Sequence, residues 1–137
     1  MPTTRCPVFQ PAEAGRAVPT PWLDAPIEKV DGTATGGAFS ITELTVDRHW
    51  GRPPYVHHVL DEALYVVSGS VQATVETSEV PLELGPGSLL FVPRGVLRSL
   101  RAFGEGAVLL IVTTPGARAE DPTEGIEFAE PSAVAHP

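Results

Sequence analysis

Residues 53–69 read PPYVHHVLDEALYVVSG. A proline pair is followed by Tyr55, His57, His58, Asp61 and Glu62, and then by an apolar run that ends in Ser-Gly. In an extended segment, residues two apart project to one side. Tyr55 and His57 therefore share a face, and His58 takes the other. A turn at Val59–Asp61 carries the chain onto the next strand, where Glu62 can face the same space. Phenol, imidazole and carboxylate are common proton-transfer groups, and all three also bind metals.

The neighbouring segments read as strands. AFSITELTV (38–46) is rich in β-branched and aromatic residues. EALYVVSG (62–69) and SVQATVETS (70–78) form a hairpin expectation around Ser-Gly-Ser. Val71, Ala73 and Val75 alternate with Gln72, Thr74 and Glu76, so one face is buried and the other is wet. Further strands are expected at 22–30, 88–92, 97–102 and 107–115, with a short one at Val8-Phe9. DRHWGRPP (47–54) reads as a turn or loop. No helical period lasts ten residues. Fifteen prolines and thirteen glycines punctuate the 137 residues, which suits many short strands. The expected fold class is all-β, a small barrel or jelly roll. Residues 1–21 form an N-terminal arm, 22–116 the barrel and 117–137 a C-terminal tail of coil or partial order.

Charge and composition exclude some partners. The formal net charge is −8, and neither nucleic acid nor an anionic membrane attracts such a chain. Cys6 is the single cysteine, so no internal disulfide can form, and a cytoplasmic location is expected. No signal-peptide pattern is visible at the N-terminus, and VLLIV (108–112) is far too short to span a bilayer.

Arg98 is the fourth candidate. It shares parity with Leu100 and Ala102 on the strand after Pro93-Arg94-Gly95. A guanidinium on an apolar face needs an anionic partner, either Glu62 or a bound oxyanion. His49, His58 and His136 read as structural or solvated, and Asp61 as a turn residue.

Two spaced motifs resemble those of the cupin superfamily, whose fold is a small β-barrel or double-stranded β-helix. Tyr55-x-His57, four residues, Glu62, six residues, Gly69 resembles the later part of the first motif. Gly87, five residues, Pro93-Arg94-Gly95, two residues, Arg98 resembles the second. The flanking GGAFSITELTV and LLIVTTPG are similar to the single-domain branch related to quercetin 2,3-dioxygenases. In that family two histidines and a glutamate of the first motif and a histidine of the second bind one metal. Here Tyr55 and Arg98 stand at two of those positions, His49 at the leading glycine and Ala102 at the closing asparagine.

The resemblance then implies a cupin without a metal cofactor. Such a protein would use Tyr55, His57, Glu62 and Arg98 for acid/base chemistry: cyclisation, dehydration or isomerisation of a small apolar oxygenated substrate, such as a polyketide or aromatic natural product. Arg98 would anchor a substrate oxygen, and Val66, Val75, Phe91 and Leu100 would form the pocket walls. One alternative is a dioxygenase-like cupin holding Fe, Ni, Mn or Zn through His57, Glu62 and Tyr55. Another is a non-catalytic small-molecule binder. A homodimer built through the proline-rich arm is also expected.

Overall fold

In a computed structural model, residues 5–22, 24–76, 78–116 and 125–129 are described. The strands are β1 (Arg16–Ala17), β2 (Ile27–Val30), β3 (Ser40–Asp47), β4 (Gly51–His57), β5 (Asp61–Val75), β6 (Leu82–Leu84), β7 (Leu89–Val92), β8 (Arg98–Thr114) and β9 (Ile126–Phe128). No helix occurs among the described residues. Every pairing is antiparallel.

The long strands β5 and β8 organise the molecule. They pair along their length, from Asp61↔Thr114 to Val75↔Arg98. The first half of β8 also pairs with β4, and the second half with β3. β5 additionally holds β6 and β7.

The expected hairpin at Ser68-Gly69-Ser70 is instead a bulge within one continuous strand. Glu62, Leu64 and Val66 are buried before it, and Val71, Ala73 and Val75 after it. The inward parity therefore switches from even to odd across Gly69. β8 makes a matching switch, with Arg98, Leu100 and Ala102 buried before Gly104-Glu105-Gly106, and Ala107, Leu109 and Ile111 after it. The two strands expected at 97–102 and 107–115 are thus one. Gly69 has φ +77°, and a side chain there would run into the backbone of Gly106 and Ala107. Only glycine fits this crossing.

Other boundaries differ from expectation. Val8-Phe9 forms no strand, and β1 pairs with β2 at Arg16–Ala17 instead. Part of the expected loop 47–54 is strand, because β4 begins at Gly51. The proline pair sits at a bulge between Arg52↔Leu100 and Tyr55↔Arg98, where missing N–H groups cost no ladder bond. In β7, Leu89 and Phe91 face solvent while Val92 is buried. Within the expected tail, β9 pairs with β4 from Tyr55↔Phe128 to His57↔Ile126. Residues 117–124 and 130–137 of that tail lie outside the described residues. The apolar core fills one end of the barrel and includes Leu44, Leu64, Val66, Val71, Leu100, Leu109 and Ile111. The other end holds the polar site.

Candidate functional site

Glu62 is the hub. Its register opposite Val92 on β7 and Thr113 on β8 turns its side chain inward at the polar end. Tyr55 and His57 point inward from β4, and Arg98 from the start of β8. The four residues expected together from the sequence do converge. The Tyr55 hydroxyl donates to Glu62 Oε1 at 3.0 Å, and Arg98 Nη1 donates to the same oxygen at 3.3 Å. His57 Nε2 lies 3.8 Å from Glu62 Oε2. His58, on the opposite parity, is exposed and pairs with Glu127 of β9.

A fifth member, Arg52, was missed by the sequence reading. Its Nη1 stands 3.9 Å from Glu62 Oε2, and its side chain is 4% exposed. Arg52 Nε and Nη2 donate to Asp24 Oδ2 and Oδ1 at 3.0 and 3.1 Å, a bidentate fork. Trp50 Nε1 also donates to Asp24, at 2.8 Å. The Trp22 ring covers the Arg52 guanidinium at 4.1 Å and lies 4.6 Å from the Tyr55 ring. Asp24 and Trp22 come from the irregular segment before β2, which is closed by Val18 N–H donating to Pro26 and Thr20 N–H donating to Asp24. Arg52 has even parity and Tyr55 odd, yet both point inward, because the Pro53-Pro54 bulge inserts between them. That proline pair beside an arginine was the available signal.

The charges balance: Arg52 and Arg98 face Asp24 and Glu62. Burial opposes a charge on Glu62, but the His57 interaction and then both arginines outweigh it and hold the carboxyl at about 2. Burial, reinforced by the Glu62 charge, pushes the Tyr55 phenol well above its ordinary value despite the two arginines. Tyr55 is thus a neutral donor and Glu62 a fixed carboxylate. Burial likewise opposes ionisation of Asp24, but the Arg52 fork prevails and lowers it.

A cavity of about 100 Å³ opens onto this cluster. Its floor carries Arg52, His57 and Glu62. One wall is apolar, from Trp22, Pro26, Leu60, Ile111 and Ile126, and another presents the hydroxyls of Ser40, Thr42 and Thr113. Ser40 and Thr113 bond to each other at 2.6 Å. Tyr55 and Arg98 do not line it. They are sealed behind Glu62 at 0% and 1% exposure. The second Arg98 amino group, Nη2, donates to Pro93 O at 3.3 Å, and its guanidinium lies 5.0 Å from the Tyr55 ring. Two buried nitrogens beside the cavity, His57 Nδ1 and Trp22 Nε1, have no hydrogen-bond partner among the described residues.

The expected pocket walls are elsewhere. Val66 and Leu100 have the inward parity but belong to the core at the far end. Val75 lies beside Arg98 in the β5–β8 register, outside the cavity lining. Phe91 is 57% exposed on the outer face, since Val92 takes the inward place opposite Glu62.

No family model and no curated protein matches the sequence. Solved structures do match. Ectoine synthase from P. lautus superposes with a TM-score of 0.68 at 16% identity, over 85% of this chain and 82% of its own. KdgF from Halomonas sp. gives 0.61 at 18% identity, over 70% and 81%. A variant of oxalate decarboxylase from B. subtilis gives 0.72 at 19% identity. It covers all of this chain, which spans 36% of that longer protein. At these identities the likeness establishes the fold, the cupin-type double-stranded β-helix.

Proposed function

We propose that this chain is a metal-independent enzyme that transfers a proton on a small, neutral, oxygenated molecule, with His57 as the acid/base group. The observation that carries this is the saturation of Glu62. Tyr55 and Arg98 hold one oxygen, while Arg52 and His57 flank the other. A divalent ion at the positions where the resemblance expects one would meet two permanent cations beside the Glu62 carboxylate. It would also meet a phenol whose deprotonation is made harder by burial and by Glu62. Catalytic metal sites keep three protein ligands, and here His57 and Glu62 are the two ordinary ones. No cluster of three His, Cys, Asp or Glu occurs among the described residues. The donor set does not suit a metal, which argues against the dioxygenase alternative.

Among the described residues lining the cavity, His57 is the titratable group without a side-chain hydrogen bond. When it takes a proton, the imidazolium forms with Nε2 3.8 Å from the Glu62 carboxylate. Glu62, held at about 2, is too weak a base at neutral pH to share that work. Arg52, rather than Arg98, is the guanidinium at the floor. Two of its nitrogens serve Asp24, which leaves the Nη1 hydrogens to polarise a carbonyl as it becomes an enolate. Abstraction of a proton from the carbon beside that carbonyl and its return elsewhere is an isomerisation. Loss of a β-hydroxyl as water after the same abstraction is a dehydration.

The balanced charges favour a neutral substrate over an anion. An apolar cavity of about 150 Å³ takes up benzene, so about 100 Å³ suits a single small ring or short chain rather than a fused polyketide. The test is proton NMR in D2O with small cyclic ketones and β-hydroxyketones as probes. Wild type should catalyse deuterium incorporation or water loss that persists in EDTA and disappears in His57→Gln. Loss of activity in EDTA, or full activity in His57→Gln, refutes the reading. Uptake of these probes without any exchange would make the protein a binding module instead.

A further inference from the structure

One ionisable side chain at the cavity takes no part in the acid/base cluster. Glu28 of β2 is 8% exposed and borders the cavity that holds Arg52, His57 and Glu62. Arg16 reaches it from a surface groove that Glu28 also borders, and Arg16 Nη2 donates to Glu28 Oε1 at 2.7 Å. Arg16 itself does not line the cavity. Among the described residues, no hydrogen bond reaches Glu28 Oε2. The fold gives little reason for a carboxylate here. An ion pair to an arginine side chain that is 59% exposed adds little to stability. Burying an acceptor without its full set of hydrogen bonds costs stability, and a β-branched residue would serve the strand better. Thr42 stands directly opposite Glu28 in the β2–β3 register and lines the same cavity. Side chains so paired have Cβ atoms ~5 Å apart. Ser40 and Thr113 are bonded to each other, whereas the Thr42 hydroxyl makes no such bond among the described residues.

We propose that Glu28 and Thr42 form a hydroxyl-recognition site in this cavity, and that the substrate is a small hydroxyketone whose hydroxyl oxygen is retained. A carboxylate oxygen accepts hydrogen bonds, and a threonine hydroxyl can donate one. Side by side, the two read both the proton and a lone pair of one alcohol. A methyl group in place of that alcohol would leave the Glu28 oxygen unpaired once water is displaced. A ketone oxygen has no proton to offer Glu28, so it is directed to the Arg52 guanidinium instead. For its chemistry this site depends on the acid/base reading of His57, and it decides between the two reactions open to that reading. Expulsion of a β-hydroxyl as water needs a proton donor at the departing oxygen. Glu28, held by Arg16, supplies an acceptor there, and a threonine hydroxyl is too weak an acid to take the donor's part. Isomerisation without loss of the hydroxyl is therefore the reaction this cavity favours.

The experiment is an NMR titration of the full chain with matched probes. Hydroxyacetone is set against methyl ethyl ketone, and β-hydroxyethyl methyl ketone against methyl propyl ketone, so that each pair differs by a methyl in place of the hydroxyl. Wild type should bind each hydroxyketone at least about tenfold more tightly than its match, the scale of one charge-assisted hydrogen bond. Glu28→Met should bind both members of a pair alike. Arg16→Met removes the ion pair but leaves the carboxylate, and it should keep most of the preference. A merely structural Glu28 would make these two variants behave the same. If Glu28→Met fails to fold, Thr42→Val, which keeps the side-chain shape, should cut the preference severalfold. No methyl vinyl ketone, the product of water loss, should form from the β-hydroxyketone. Equal wild-type affinities within a pair overturn the proposal, as does a preference that survives both Glu28→Met and Thr42→Val, or release of methyl vinyl ketone. Preferential binding without deuterium exchange in D2O would support the hydroxyl site while refuting the acid/base role of His57, so the two failures are told apart.

Discussion

Glu62→Gln tests the electrostatics of the site directly. The carboxyl has an ordinary value of 4.5 and is held at about 2 in the folded chain. That depression corresponds to about 3 kcal/mol of stability at neutral pH, since each tenfold change in proton affinity is worth about 1.4 kcal/mol. Glu62 is 2% exposed, so solvent does not screen the effect away. Because the folded value lies below the unfolded one, the stabilisation is present above pH 4.5 and disappears as pH falls toward 2. About 2 kcal/mol of it is gone by pH 3.

Glutamine keeps the shape of the side chain and removes the charge. At pH 7 the variant should lose about 3–5 kcal/mol, the cost of leaving buried arginines without their counter-ion. Its stability should then lack the Glu62 share of acid sensitivity. Asp24 and Asp61, both also lowered by arginine partners, remain in wild type and variant, so they cancel to first order in the difference. Urea unfolding of the two proteins at pH 7, 5, 4 and 3 should show the gap between them narrowing by about 2 kcal/mol. A gap of constant size across that range refutes the idea that cationic neighbours hold Glu62 ionised.

Three further outcomes are expected. Tyr55→His combined with Arg98→His should create a cobalt- or zinc-binding protein, seen as a melting temperature that rises with the metal. No rise would mean that something other than these two residues excludes a cation. Tyr55→Phe removes one hydrogen bond to Glu62 from behind the cavity, so it should cost about 1 kcal/mol in chemical denaturation, and it should leave His57-dependent exchange within about tenfold. A total loss of exchange would give the phenol the catalytic role that its sealed position argues against. Gly69→Ala should lower stability by about 3 kcal/mol or more in thermal unfolding, through a positive φ and a clash with the backbone of Gly106. A neutral substitution would mean that the crossing of β5 and β8 is looser than described.

The sequence carries the fold where side chains alternate without interruption. SITELTV and VQATV each reveal a buried face: the first forms β3 as expected, and the second forms the latter half of β5 rather than a strand of its own. The meeting of Tyr55, His57, Glu62 and Arg98 is legible for the same reason. What escaped involves bulges and long-range contacts. At Pro53-Pro54 the inward parity inverts, hiding Arg52 in what reads as a loop. At Gly69 the strand looks like a turn because a bulge and a hairpin use the same residues. Asp24 and Trp22 reach the site through a segment with no period of its own. β9 is three residues long in an acidic, proline-rich stretch, and its strand character comes from β4. Phe91 is expected on the wall as an apolar residue, but the Glu62↔Val92 register faces it outward.

Arg98 is not an isolated buried charge. Alone, its charge would draw an anion into the barrel. Instead the Glu62 carboxylate it contacts is also flanked by Arg52, and Asp24 neutralises Arg52 from the other side. Four buried charges in this arrangement sum to zero. Such a group adds little net stability over an apolar filling of the same volume, so stability alone gives no reason to build it. It does fix the orientation of one carboxylate beside one imidazole at the floor of a cavity, with no net field to trap a charged product. Under the proposed reading, a neutral substrate that becomes negative only at the transition state is the species such a floor would discriminate for, because Arg52 and a protonated His57 would act on charge that the ground state does not carry.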